Sequence, residues 1–146
     1  SGANLSGADL RNANLSGADL RNANLSQSTG IQDSFNFMSQ FPTDELGVLV
    51  ARGTIYSQYN KPETWEIKEG AILQEVVNPD RGTVCGCGVN FATPDWFNDE
   101  ELWVCRINWL DLADVVVPFN TTGKARCGRL SLLYKCHRGD FPRKGE

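Results

Sequence analysis

Histidine is almost missing from this 146-residue chain, His137 being the only one. A general acid–base mechanism would have to run on a carboxylate or a thiol instead. No Ser-His-Asp or Cys-His pair is indicated by chain context, and a lone His beside a basic tail is expected to face solvent. Long apolar runs are missing as well: none approaches the length that crosses a bilayer, so no membrane role is expected. Nor is there a basic excess, since 14 Lys and Arg stand against 18 Asp and Glu, a net charge of −4. Proteins that hold nucleic acid by its phosphates are normally basic, so direct nucleic-acid binding is not expected. No basic segment precedes an apolar stretch at the N-terminus, and no secretory signal is read there.

Cysteine is present in an odd count of five. Cys85 and Cys87 are too close in sequence for the usual mutual bridge, so reduced thiols are expected in place of a secreted disulfide framework. Cys85, Cys87, Cys127, Cys136 and His137 are the residue types zinc prefers. Their spacing does not make a knuckle, because Cys-x-Cys replaces Cys-x-x-Cys and Cys136 adjoins His137. No metal or other cofactor is expected, and buried structural thiols are favoured. Cys105, between Val104 and Arg106, reads as strand packing.

Residues 1–27 are strictly periodic. In fives they read Ala3-Asn-Leu5-Ser-Gly, Ala8-Asp-Leu10-Arg-Asn, Ala13-Asn-Leu15-Ser-Gly, Ala18-Asp-Leu20-Arg-Asn and Ala23-Asn-Leu25-Ser-Gln. Neither a helical nor a strand period puts Leu at every fifth residue on one continuous face, so the chain must turn a corner once per unit. The pattern resembles the pentapeptide-repeat family, with Leu at the centre of each unit and a small residue two positions earlier. The resemblance implies a short right-handed quadrilateral β-helix, one unit per face and four units per turn. Leu5, Leu10, Leu15, Leu20 and Leu25 would fill its core above Ala3, Ala8, Ala13, Ala18 and Ala23. A tube this narrow cannot hold two large side chains per face at normal packing density. Five units make little more than one turn, and a repeat buries its core only against neighbours, so a cap, further repeats or an oligomer must complete it. Some members of the family imitate DNA and occupy gyrase. That role needs a long acidic rod, whereas Asp9 and Asp19 are cancelled here by Arg11 and Arg21.

Residues 28–45 read as a cap or linker. Ser26–Gly30 breaks the period, and Phe35, Phe37, Met38 and Phe41 before Pro42 read as a flap over the solenoid's open end. Residues 46–146 then read as a small β-rich α+β domain. Strands are expected at 47–53 with 54–56, at 65–67, 71–77, 102–109, 114–117 and 129–134, with a turn at 78–82. Thr93 and Pro94 predict a helix from 93 to about 100. Acidic side chains from Asp95 to Asp114 and basic ones from Lys135 onward read as solvated faces.

The ordered set Cys85-Gly-Cys-Gly-Val-Asn-Phe-Ala-Thr93, a helix with Trp96, Leu102-Trp-Val-Cys-Arg-Ile107, Ala113-Asp-Val-Val-Val-Pro118 and Lys124-Ala-Arg-Cys127 resembles a domain of tailed-phage and prophage proteins. Its relatives include phage rapid-lysis proteins, and it also occurs downstream of pentapeptide repeats. The likeness spans about residues 46–136, with Asn90 where that family often has His. Gly88-Val-Asn-Phe-Ala92 is also similar to a Gly-Ile-Tyr-Phe-Ala segment of ADP-ribosyltransferases. That likeness implies a nicotinamide pocket bordered by Arg52, Gly53, Tyr56 and Asn90, but the family's His-Gly and Arg-Ser-Thr arrangements and its strand Glu are not found.

Together these readings describe a mainly β, non-enzymatic structural or interaction protein, phage-related, in the host cytoplasm or the virion. Its partners would be proteins, copies of itself included. Arg52, Tyr56, Asn90, Trp96 and Trp103 are the binding candidates, aromatic side chains being the commonest interface anchors.

Overall fold

The computed structural model describes residues 4–10, 24, 33–54 and 62–145. The units holding Leu15, Leu20, Ala13 and Ala18, and Leu25 with them, lie outside the described residues, as does Tyr56. Within the first units, Leu5, Ala8 and Leu10 are half-buried. The Ala8 N–H donates to the Leu5 carbonyl at 3.0 Å, and Gly7 between them has φ 73°. That is the left-handed conformation a tight turn asks of its third residue, so the chain does bend directly after a repeat leucine. Asn4 and Asn24 form a parallel bridge, and the Leu5 N–H donates to the Asn24 carbonyl at 2.7 Å.

The rest is built on one antiparallel sheet. Its strands are β1 (Gly47–Gly53), β2 (Ile72–Gln74), β3 (Val89–Ala92), β4 (Glu101–Asn108), β5 (Lys124–Cys127) and β6 (Arg129–His137), in the spatial order β2-β6-β4-β1-β3-β5. Alternation along the strands explains the two cores. Val48 and Val50 of β1, Trp103, Cys105 and Ile107 of β4, and Val89 and Phe91 of β3 enter the larger cluster. Leu49, Ala51, Leu102 and Val104 point the other way and pack with Phe141. A bulge opposite Val104 and Cys105 resets the alternation in β6, so Leu132 joins the larger cluster and Leu133 the smaller.

One residue, Gly128, separates β5 from β6, yet three strands lie between them in the sheet. A flat sheet would put them about 19 Å apart at about 4.8 Å per strand step, and two Cα steps reach about 7.6 Å at most. The sheet must therefore curl on itself, and the larger cluster fills the inside of the curl. Both edges are covered. Val116 exchanges backbone hydrogen bonds with Arg126 along β5, and the Trp65 indole N–H donates to the Gln74 carbonyl on β2.

Several expectations need correction. The flap is a helix, α1 (Ser34–Ser39), capped by the Asp33 side chain. Its Phe37, with Phe41, stacks edge-on toward Phe91 in the sheet's core, while Phe35 is exposed. The apolar side chains were legible, but their destination is the larger cluster. The expected strand at 65–67 is irregular, because Trp65 turns inward to plug the β2 edge. The expected helix from 93 shrinks to a 3₁₀ turn at Pro94–Trp96, without a side-chain cap from Thr93. Asp-Trp-Phe-Asn-Asp contains no strong helix former, and Phe97 leaves the turn to pack on the smaller cluster. In place of a strand at 114–117 there is a 3₁₀ turn at Trp109–Asp114 and the single bridge at Val116.

Candidate functional site

The best-built surface feature is the loop from Asn78 to Gly88, and a buried arginine organises it. Arg126 of β5 is 0% exposed. Its Nε donates to the Asn78 carbonyl at 2.8 Å, Nη1 to that of Thr83 at 2.8 Å, and Nη2 to that of Asp80 at 2.7 Å. One rigid fork thus satisfies three carbonyls that the turn leaves without strand partners. Asp80 tightens the turn from within, accepting from the Gly82 N–H and the Thr83 hydroxyl. Arg81 fixes the flank: its Nε donates to the Val117 carbonyl at 2.7 Å, and its guanidinium lies 4.2 Å from the Phe119 ring centre. Burial pushes both guanidinium groups below their ordinary values, and Asp80, Cys87 and Cys85 draw Arg126 back up.

The glycines of Cys85-Gly86-Cys87-Gly88 follow from this fork. A Cβ at Gly86 would lie 3.0 Å from the Asn78 Cβ and 3.1 Å from the Arg126 guanidinium carbon. One at Gly88, where φ is 138°, would press on the Arg126 stem at 3.3 Å. The loop lies directly on the arginine and needs flat backbone there. Both thiols of the motif are exposed, and the Lys124 ammonium donates to the Cys85 sulfur at 3.0 Å.

The binding candidates separate. Arg52, opposite Trp103 in the β1–β4 register, donates through Nη1 to the Asn90 backbone carbonyl, and its guanidinium sits 5.4 Å from the Trp65 ring centre. The Asn90 side chain donates to the Gly88 carbonyl at 3.3 Å, and its Oδ1 is buried without a hydrogen-bond partner. Trp103 is 2% exposed and packs in the larger core beneath Lys135, so it offers no face to a ligand. Trp96 is 43% exposed, edge-on to Phe97 and beside Gly123. The structure thus joins Arg52, Asn90 and Trp103 at the sheet and places Trp96 on a separate turn.

The metal candidates are dispersed too. Cys85 and Cys87 are on the loop, Cys127 is in the core, Cys136 is half-buried on β6, and His137 is exposed at its end. Among the described residues no three His, Cys, Asp or Glu side chains group to hold a metal ion. Burial pushes the Cys105 and Cys127 thiols up to about 12. Cys136 is also raised, by burial first and then by Asp140 and Glu101.

Sequence reasoning missed Arg126, since arginine is normally a surface residue. The alternation of Ala125 and Cys127 around it, with two glycines two residues apart upstream, was the available signal. It also missed an open cleft of about 540 Å³ where β5 passes into β6, lined by Glu75, Asp111, Asp114, Gly128 and Arg129. No described helix is long and apolar enough to cross a membrane.

Residues 1–28 match the family model described as Pentapeptide repeats (8 copies). No curated protein and no solved structure matches the chain.

Proposed function

We propose that the chain is a non-catalytic scaffold in which a pentapeptide-repeat β-helix self-associates and carries the curled sheet as a protein-binding module. The observation that supports this most is the spacing of the parallel bridge. Asn4 and Asn24 occupy equivalent positions four five-residue units apart, the separation one circuit of a four-sided solenoid requires. Leu5 and Leu10, half-buried in the described part of the repeat, have core left to complete against neighbouring repeats or a second copy.

The sheet domain offers an apolar surface away from its core. Leu110 is 93% exposed, beside Trp109 at 48% and Leu46 at 59%, and the Trp109 N–H donates to the Leu46 carbonyl. Three large apolar side chains held together in water favour a protein partner over a small ligand. On this reading the protein is phage-related and works in the virion or the host cytoplasm. Sedimentation of the whole chain tests it. Self-association is expected, lost in Leu10→Asp and kept in Leu110→Asp; a single-chain mass at all concentrations would refute the assembly role.

A further inference from the structure

The five thiols of this chain are sorted by their surroundings. Cys105 and Cys127 are fully buried, with thiols pushed up to about 12, and buried thiols of that kind are inert. Cys136 is half-buried against the smaller cluster, and its thiol is raised first by burial and then by the charges of Asp140 and Glu101, an unhelpful setting for a thiolate. Cys85 and Cys87 differ in every respect. Both are exposed, one residue apart, on a loop that Arg126 holds by three carbonyls. The Lys124 ammonium donates to the Cys85 sulfur at 3.0 Å, and Arg126 lies within electrostatic reach of both sulfurs. An accessible sulfur beside cationic side chains is the setting in which cysteines react. Neither thiol is part of a core cluster, so packing does not account for their presence.

We propose that Cys85 and Cys87 form a redox-reactive dithiol, with Lys124 orienting Cys85 to attack low-molecular-weight disulfides and Cys87 completing the exchange. In the first step the Cys85 sulfur, giving up its proton to water, bonds to one sulfur of a disulfide RS–SR. The S–S bond of the reagent breaks, and RS⁻ leaves with the electron pair and takes a proton. In the second step the Cys87 sulfur attacks the Cys85 sulfur, expels the second RS⁻ and closes an intraloop disulfide. The two cysteines lose two electrons and two protons, and the reagent becomes two RSH. Two Cα steps keep Cys85 and Cys87 within about 7.6 Å, and the chain bends at both residues, which brings them toward disulfide range. A bridge over a single residue is strained, and strained disulfides are readily reduced, so the site is reversible. This inference is independent of the scaffold reading.

The test is to treat the folded whole chain with oxidised glutathione, quench with acid, and follow intact mass and peptide maps. The wild type is expected to end two hydrogens lighter, with the bridge between Cys85 and Cys87. Cys87→Ser should stop with one glutathione on Cys85, and Cys85→Ser should react at least about tenfold more slowly. Lys124→Met should slow the first step by about three- to tenfold, and Lys124→Arg should restore it to within about twofold. The proposal is overturned if Cys136 reacts as fast as Cys85, if Lys124→Met reacts at the wild-type rate, or if the wild type stops at the same mixed disulfide as Cys87→Ser.

Discussion

Single residues hold the loop from Asn78 to Gly88 and the turn before β1 in place. The Arg126 fork matches three carbonyls, and no other side chain presents donors in that geometry. Arg126→Lys is therefore not conservative here: it removes the fork's donors from the half-buried Asn78 and Thr83 carbonyls, while the Asp80 carbonyl keeps the Thr83 N–H, and is expected to cost about 1–3 kcal/mol in denaturant unfolding. A loss below about 0.5 kcal/mol would mean that the fork does not hold the loop. Asp44 provides a second case. Its carboxylate takes the Arg106 Nε at 2.9 Å and the N–H groups of Leu46 and Gly47. The Arg106 hydrogen bond, reinforced by those amides, holds its carboxyl below the ordinary value against the opposing effect of burial. The sign follows from linkage: a depressed folded value adds stability that is complete above the unfolded value of about 3.9 and is lost as pH falls through the folded one. Asp44→Asn should lose about 1 kcal/mol at neutral pH and show a flatter acid limb; identical acid limbs would contradict the pairing. The thiols at 85 and 87 were legible as free from their spacing alone. Arg126 was not, because its value lies in carbonyls 43 to 48 residues away that no local pattern reveals.

Elements were legible where sequence and burial agree over enough residues. β1, β4 and β6 are long runs of β-branched, aromatic and aliphatic residues, and each formed within a few residues of its expected span. β3 and β5 have four residues each, one interrupted by Asn90 and the other by Arg126, too short for periodicity to mark. The short helix expected after Thr93 was overruled by packing, since Phe97 is needed on the smaller cluster. Gly47 shows how closely elements meet. A Cβ there would lie 2.1 Å from the Ile107 carbonyl oxygen on β4, which only movement of the paired strands could relieve. Gly47→Ala is expected to destabilise by about 3 kcal/mol or more, read by thermal and denaturant unfolding. A change below about 1 kcal/mol would mean that the β1–β4 register is looser than described.

At the scale of the molecule, a five-residue repeat and a curled sheet share one chain. The curled sheet is dictated by long-range pairing, above all by the one-residue step from β5 to β6, and no local pattern foretells such a step. The repeat is the reverse: its period is plain in the sequence, and the turn at Gly7 and the bridge between Asn4 and Asn24 are what the described residues show of it. The central claim, that the repeat winds into a four-sided solenoid with leucines inward, is tested most directly by amide hydrogen exchange across residues 4–25 of the whole chain. Slowed exchange is expected at the Leu5 N–H, which is bonded to the Asn24 carbonyl, and at matching positions of later units. Exchange throughout the repeat at the rate of an unstructured peptide would contradict it.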